Sequence, residues 1–174
     1  MLLIAVLITL DSKGGVFYKQ KRVGKNGKPF LLLKFRTMKP ESDGVQITVG
    51  DRDPRVTKVG YYLRKYKLDE LPQLLNIIKG DMSVVGPRPE VPHYVEQYNP
   101  EQRKVLAVRP GLTDYASLHF VNESELLAKA ENPEAEYVNT IMPHKLRLSL
   151  SYIENRSFFL DLKIIFQTLA KIIR

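Results

Sequence analysis

The stretch from Lys67 to Asp81, Lys-Leu-Asp-Glu-Leu-Pro-Gln-Leu-Leu-Asn-Ile-Ile-Lys-Gly-Asp, constrains the fold more than any other, because both ends of a helix are written into it. Leu71, Leu74, Leu75 and Ile78 recur at i, i+3, i+4 and i+7, the spacing of an apolar stripe turned toward a core. Pro72 is tolerated in a first turn, where amide groups lack intrahelical acceptors, and Gly80 supplies the stop. The spacing therefore predicts a helix entered at Asp69 as its N-cap. A carboxylate there accepts backbone amides and feels the positive end of the helix dipole, which favours its ionised form and attracts phosphate. Asp followed by Glu at a helix start is also ordinary capping grammar, so these residues alone leave structure and chemistry both open. The surroundings favour chemistry. Arg64, Lys65 and Lys67 precede the acidic pair, and Gly86-Pro87-Arg88-Pro89 and Arg109-Pro110-Gly111 follow it, so cations and rigid turns gather around two carboxylates in a mixture suited to phosphoryl transfer.

A chain of 174 residues without internal repeats fits one domain with a real core. Its 27 basic and 19 acidic residues give a net charge of +8, which implies an anionic partner. Aromatics do not interleave with the basic residues, and no zinc-finger, helix-turn-helix or RNA-binding signature is present, so no nucleic acid is expected. Acidic lipid or a nucleotide substrate suits the charge better. The absence of cysteine excludes disulfides, thiolate catalysis and cysteine-based zinc sites. His93, His119 and His144 form no HExxH pattern and read as surface or structural residues.

Along the chain, Met1 to Leu10 is almost wholly apolar, yet ten residues are about half of the roughly 20 that a spanning helix needs. It reads as a core segment, a membrane-dipping piece or the end of a longer apolar element. Strand-forming residues flank Asn26-Gly27 from Val16 to Val23 and from Phe30 to Phe35, the pattern of a β-hairpin. Its second arm puts Lys34 and Arg36 on one side and Phe35 on the other. Lys39 to Arg55 reads as a polar loop, and Val56 to Lys67 as a short basic helix with Val59, Tyr62, Leu63 and Tyr66 on one face. The prolines of Gly86-Pro87-Arg88-Pro89 leave the arginine as the side chain free to reach out. A helix is expected near residues 90 to 106, and an acidic surface helix from Glu123 to Tyr137 with a break at Pro133. From Ser157 onward, Phe158, Phe159, Leu162, Ile165, Phe166, Leu169, Ile172 and Ile173 with Arg156, Lys163, Lys171 and Arg174 have the composition of an interfacial amphipathic helix. A core-packing helix is the alternative.

Six segments in order, Lys34-Phe-Arg-Thr-Met38, Leu68-Asp-Glu-Leu-Pro-Gln-Leu74, Lys79-Gly-Asp-Met-Ser83, Gly86-Pro-Arg-Pro89, Arg109-Pro-Gly-Leu-Thr113 and Tyr152-Ile-Glu-Asn-Arg-Ser-Phe158, resemble the bacterial sugar transferases called monotopic phosphoglycosyl transferases. The resemblance runs from about Val16 to the end and implies transfer of a phosphosugar from a UDP-sugar to polyprenyl (undecaprenyl) phosphate, with Mg2+, as an early membrane step in polysaccharide or glycoprotein synthesis. It implies that Asp69 is the nucleophile that carries the phosphosugar covalently, and that Glu70 acts with the metal. It further implies substrate contacts from Lys34, Arg36, Arg64, Arg109 and the Pro87-Arg88-Pro89 turn, Arg88 being associated with the nucleotide. Where many members of that family continue with Gly-Trp-Ala-Gln and a later Asn-Gly-Arg, this chain has Asp114-Tyr115-Ala116-Ser117 and His119-Phe120-Val121, without the arginine expected near Val121. The family's longer N-terminal membrane helix would be represented by the end of one at residues 1–10. The expected protein is a single α+β domain, a small hairpin-containing sheet with several helices, resting on the anionic cytoplasmic face of the bacterial inner membrane. A non-catalytic basic membrane-binding relative of the same fold is the competing expectation.

Overall fold

A computed structural model of the chain, which describes residues 1–40, 53–120 and 123–173, shows the hairpin that Asn26-Gly27 announces. Strands β1 (Phe17–Val23) and β2 (Pro29–Phe35) pair antiparallel, with Phe17 opposite Phe35 and Val23 opposite Pro29. Asn26 (φ 57°) and Gly27 (φ 75°) take the left-handed conformations that these residue types tolerate best. Phe35 is buried with Ile8 of α1 (Leu2–Asp11) and Leu63 of α2 (Lys58–Lys65), so the hairpin and the first two helices share a small core. Helix α2 starts where Thr57 accepts a hydrogen bond from the Gly60 amide at 3.0 Å. Gly60 lies so close to the exit of β2 that a Cβ would fall 2.1 Å from the Thr37 carbonyl oxygen. On α2, Leu63 and Val59 face inward while Tyr62 and Tyr66 stay exposed, which narrows the expected apolar face.

After a 3₁₀ turn at Leu68–Glu70 and helix α3 (Gln73–Ile78), strands β3 (Ser83–Val85) and β4 (Gly111–Thr113) pair in parallel, Ser83 against Gly111 and Val85 against Thr113. The continuous helix expected near residues 90 to 106 is instead α4 (Pro92–Val95) and a separate 3₁₀ turn at Gln102–Ala107. Asn99-Pro100 lies between them, and a residue preceding proline is pushed out of the helical region. There follow α5 (Tyr115–His119), α6 (Glu123–Lys129), α7 (Pro133–Glu136, opening at the expected break), a π-helical turn at Tyr137–Ile141, α8 (Met142–Asn155) and α9 (Phe158–Ile173). The largest core gathers Tyr94, Val95, Tyr98, Val105, Leu127, Tyr137, Met142 and Leu146.

Helix α9 packs one face into the core and leaves apolar side chains exposed on another. Ile164 is fully buried against Val85 and Tyr152, the Thr113 and Thr168 hydroxyls meet at 2.6 Å, and the Tyr152 hydroxyl donates to Asp161 at 2.7 Å. Phe158, Phe159, Phe166 and Leu169 stay exposed. Most of the loop expected at Lys39 to Arg55, the position near Val121, the Ile173 side chain and Arg174 lie outside the described residues. Among those described, no helix is long and apolar enough to cross a membrane. Short sheets among many helices make the fold α+β, as expected.

Candidate active site

Helix α3 turns the expected stripe around. Leu71 does pack inward beside Phe35, but Leu74, Leu75 and Ile78 are exposed, and the buried side chains are Pro72, Gln73 and Asn76. The reason lies in β2, whose outer edge would otherwise carry unpaired backbone groups. The Asn76 carboxamide satisfies them: its oxygen accepts from the Leu33 amide at 3.1 Å and its nitrogen donates to the Leu31 carbonyl at 2.8 Å. A leucine at that position would leave both groups without partners, each at a cost of roughly 1–3 kcal/mol. Gly80 (φ 83°) stops the helix as expected.

Asp69 is not an N-cap. Lys67, in a left-handed conformation (φ 55°) uncommon for a residue with a side chain, ends α2 and feeds the 3₁₀ turn that holds Asp69 and Glu70, while Pro72 occupies the cap position of α3. Both carboxylates are buried, and their surroundings drive them apart. Burial pushes the Asp69 carboxyl above its ordinary value, with the neighbouring Glu70 charge adding to the rise and Lys34, Lys67 and Arg64 opposing it. The depression that a capping position would cause is therefore absent. Asp69 Oδ1 has no hydrogen-bond partner among the described residues.

Glu70 is as buried, yet its carboxyl sits far below the usual range, because the charges of Arg88 and Lys34 outweigh the cost of burial. Its Oε1 accepts from Lys34 Nζ at 3.1 Å and from Arg88 Nη2 at 2.7 Å. Burial and the nearby Arg88 lower the Lys34 ammonium, with Glu70 acting against them, and Glu70 raises the Arg88 guanidinium. Asp69, Glu70, Lys34 and Arg88 therefore form one charged cluster, drawn from a strand, a 3₁₀ turn and the Pro-Arg-Pro turn.

That last turn is clamped from several sides. Pro87 and Pro89 are buried while Arg88 keeps about a third of its side chain exposed (36%). The Gly111 amide donates to Pro87 O at 2.9 Å, Arg22 donates to Pro89 O at 3.0 Å and to Glu90 Oε1 at 2.9 Å, and the Val23 amide donates to Glu90 O at 2.9 Å. Tyr137, kept protonated by burial and by Glu90, donates its hydroxyl to Glu90 Oε2. The two arginine-bearing turns of the sequence meet backbone to backbone: a Cβ on Gly111 would lie 2.2 Å from the Gly86 nitrogen, so glycine alone fits.

The remaining predicted residues divide. Arg64 acts on Asp69 through its charge. Arg36 is buried and donates to the Ser12 and Lys13 carbonyls at 2.8 and 2.5 Å, closing the end of α1. Arg109 is exposed, with its guanidinium 4.0 Å from where a Cβ on Gly80 would sit, at the C-terminal end of α3. Sequence reasoning passed over Gln73, Asn76 and the Arg22–Glu90–Tyr137 network. The i, i+3 spacing of Gln73 and Asn76 was the available sign of a second, polar stripe.

The bacterial sugar transferase family model matches residues 1–174, and the chain belongs to that family. It is 39% identical over 173 residues to the uncharacterized sugar transferase EpsL of Bacillus subtilis, covering 99% of this chain and 77% of that one. It is equally 39% identical over 173 residues to the UDP-glucose:undecaprenyl-phosphate glucose-1-phosphate transferase of Escherichia coli, 97% of this chain but 35% of that protein. A UDP-N-acetylgalactosamine-undecaprenyl-phosphate N-acetylgalactosaminephosphotransferase of Aeromonas hydrophila is 39% identical over 178 residues, 99% of this chain and 39% of that protein. The chain thus spans between about a third and three quarters of these relatives' lengths.

Proposed function

We propose that the chain is a phosphoglycosyl transferase that moves a sugar phosphate from a UDP-sugar to polyprenyl phosphate through Asp69. The observation that supports it most is the divergence of two adjacent buried carboxylates, one bound to two cations and the other with an oxygen that has no hydrogen-bond partner among the described residues. In the first step an Asp69 oxygen bonds to the sugar-bearing phosphorus as the bond to the bridging oxygen breaks, and that electron pair leaves with UMP. In the second, a phosphate oxygen of the polyprenyl chain attacks the same phosphorus and the Asp69 carboxylate is released. A buried carboxylate with one oxygen left unpaired is less stabilised in its resting state, and so more reactive, than one in water. Lys34 and Arg88 hold Glu70 in place and present positive charge where phosphate oxygens must lie.

Magnesium fits this donor set. The described residues contain no cluster of three or more metal-ligating side chains, but Mg2+ in phosphoryl-transfer sites needs one or two carboxylates, with substrate phosphates and water supplying the rest. Asp69 and Glu70 would hold it, and the ion would neutralise charge on the diphosphate.

The same reading sets the protein on the anionic cytoplasmic face of a bacterial inner membrane, where the lipid acceptor resides. Exposed apolar side chains on α1 (Leu2, Leu3, Leu10), α3 (Leu74, Leu75, Ile78) and α9 (Phe158, Phe159, Phe166), beside a net charge of +8, support it. The decisive assay supplies Mg2+, undecaprenyl phosphate and either UDP-glucose or UDP-N-acetylgalactosamine, the donors in the relatives' names, and follows UMP. Release of UMP with formation of the lipid-linked diphosphosugar supports the proposal. A protein that binds vesicles and releases no UMP with any UDP-sugar is the non-catalytic relative instead.

A further inference from the structure

The inner face of α3 carries one more polar group than the fold can use. Leu71 (φ −52°, ψ −37°) and Pro72 (φ −62°, ψ −17°) continue the right-handed helical path between the 3₁₀ turn and α3. Asp69, Gln73 and Asn76 therefore follow one another at i, i+4 and i+7 along a single buried face. The two ends of this stripe differ. At the Asn76 end every amide atom is engaged, with Leu31, Leu33 and, at 3.3 Å, Asp81. At the other end Gln73 is 2% exposed, yet its Nε2 has no hydrogen-bond partner among the described residues, and neither does Asp69 Oδ1 one turn away. A methionine would fill the same volume without that cost, so a buried amide donor left unpaired one turn along the chain from the Asp69 carboxylate points to a ligand.

We infer that the Gln73 carboxamide is a catalytic group, donating an N–H to a non-bridging oxygen of the phosphoryl group that Asp69 attacks; the inference rests on the transferase reading above. As the Asp69–phosphorus bond forms and the bond to the UMP oxygen breaks, charge shifts on the non-bridging oxygens. Lys34, Arg64, Lys67 and Arg88 supply positive charge around the pair, and Gln73 adds a short neutral donor from the helix face that carries the nucleophile. Because the donor is buried and already ordered, it needs no reorganisation when the transition state forms.

The competing role is that Gln73 simply holds the Asp69 carboxylate. Gln73→Met separates the two. The full chain in detergent micelles is mixed in single turnover with Mg2+ and UDP-glucose or UDP-N-acetylgalactosamine, without lipid acceptor, and the covalent phosphosugar adduct is followed by mass. The inference expects the adduct rate at saturating donor to fall on the order of 100- to 1,000-fold. It also expects a half-saturating donor concentration near that of the wild type, an unmoved acidic limb in the pH–rate profile, and a melting temperature equal to or above the wild type's. Gln73→Glu, which removes the donor and adds an anion, should lose the adduct at least as severely. An adduct formed at the wild-type rate by Gln73→Met overturns the inference while leaving the transferase intact. So does a fall in melting temperature together with a shifted acidic limb, which marks a group that positions Asp69. If the wild type itself releases UMP from neither donor and forms no adduct, the transferase reading fails and this inference falls with it.

Discussion

Helix α8 buries Met142, Leu146 and Tyr152 and turns Arg147 and Glu154 outward, whereas α3 buries Gln73 and Asn76 and turns Leu74, Leu75 and Ile78 outward. Both obey helical periodicity, in opposite senses. The inner side of α8 meets an apolar core, so its stability comes from area removed from water. The inner side of α3 meets the edge of β2, where the Asn76 carboxamide satisfies the Leu31 and Leu33 backbone groups by hydrogen bonds, and its leucines are left exposed. Apolar burial is thus concentrated around α8, and buried polar and charged side chains around α3.

Five variants can break the contrast between the two helices. Leu146→Ala should cost about 2–5 kcal/mol of unfolding free energy, measured by denaturant melts, because it hollows the α8 core. Asn76→Leu should cost about 2–4 kcal/mol by unpairing the Leu31 and Leu33 backbone groups; if α3 followed the rule of α8, that variant would be more stable than the wild type, and the contrast would collapse. Glu70→Gln should lower stability at pH 7 by about 1–2 kcal/mol, less than a fully buried pair would, since Arg88 remains partly exposed. Asp69→Asn should move the opposite way, raising the melting temperature at pH 7. The signs follow from the two shifts. Glu70, depressed in the folded protein, contributes stability above the ordinary carboxyl range that is lost as pH falls through its folded value. Asp69, raised, costs nothing below the ordinary range and progressively more as pH climbs through its folded value, so the gain from Asp69→Asn should vanish in acid. Last and smallest, Leu74→Ser with Ile78→Ser should shift unfolding by no more than about 0.5 kcal/mol per site while reducing flotation with anionic liposomes. An unchanged flotation would leave the outer face of α3 without the surface assigned to it.

How much of this was legible in the sequence depended on which partner each residue needed. The hairpin, the stop at Gly80 and the outward reach of Arg88 rest on local backbone chemistry, and the residues announce them. The orientation of α3 does not, because the edge of β2 that Asn76 satisfies lies more than 40 residues away in the chain (|i−j| 43 and 45). The same holds for Glu90, whose partners Arg22 and Tyr137 come from β1 and the π-helical turn. The sequence points to Asp69 for an electrostatic reason that the structure reverses: burial in a 3₁₀ turn, not a cap, sets its character. Arg36 shows the converse, a cation in a motif-like stretch that is occupied by the end of α1.

A single mass measurement tests whether an Asp69 carboxylate oxygen takes the sugar phosphate. The protein is incubated with Mg2+ and UDP-glucose or UDP-N-acetylgalactosamine in the absence of polyprenyl phosphate, quenched in acid and digested after lysine. The peptide Leu68–Lys79 should gain the mass of one phosphosugar on Asp69, and the gain should vanish both on adding undecaprenyl phosphate and in Asp69→Asn. Release of UMP with no adduct on that peptide, or full turnover by Asp69→Asn, would contradict it.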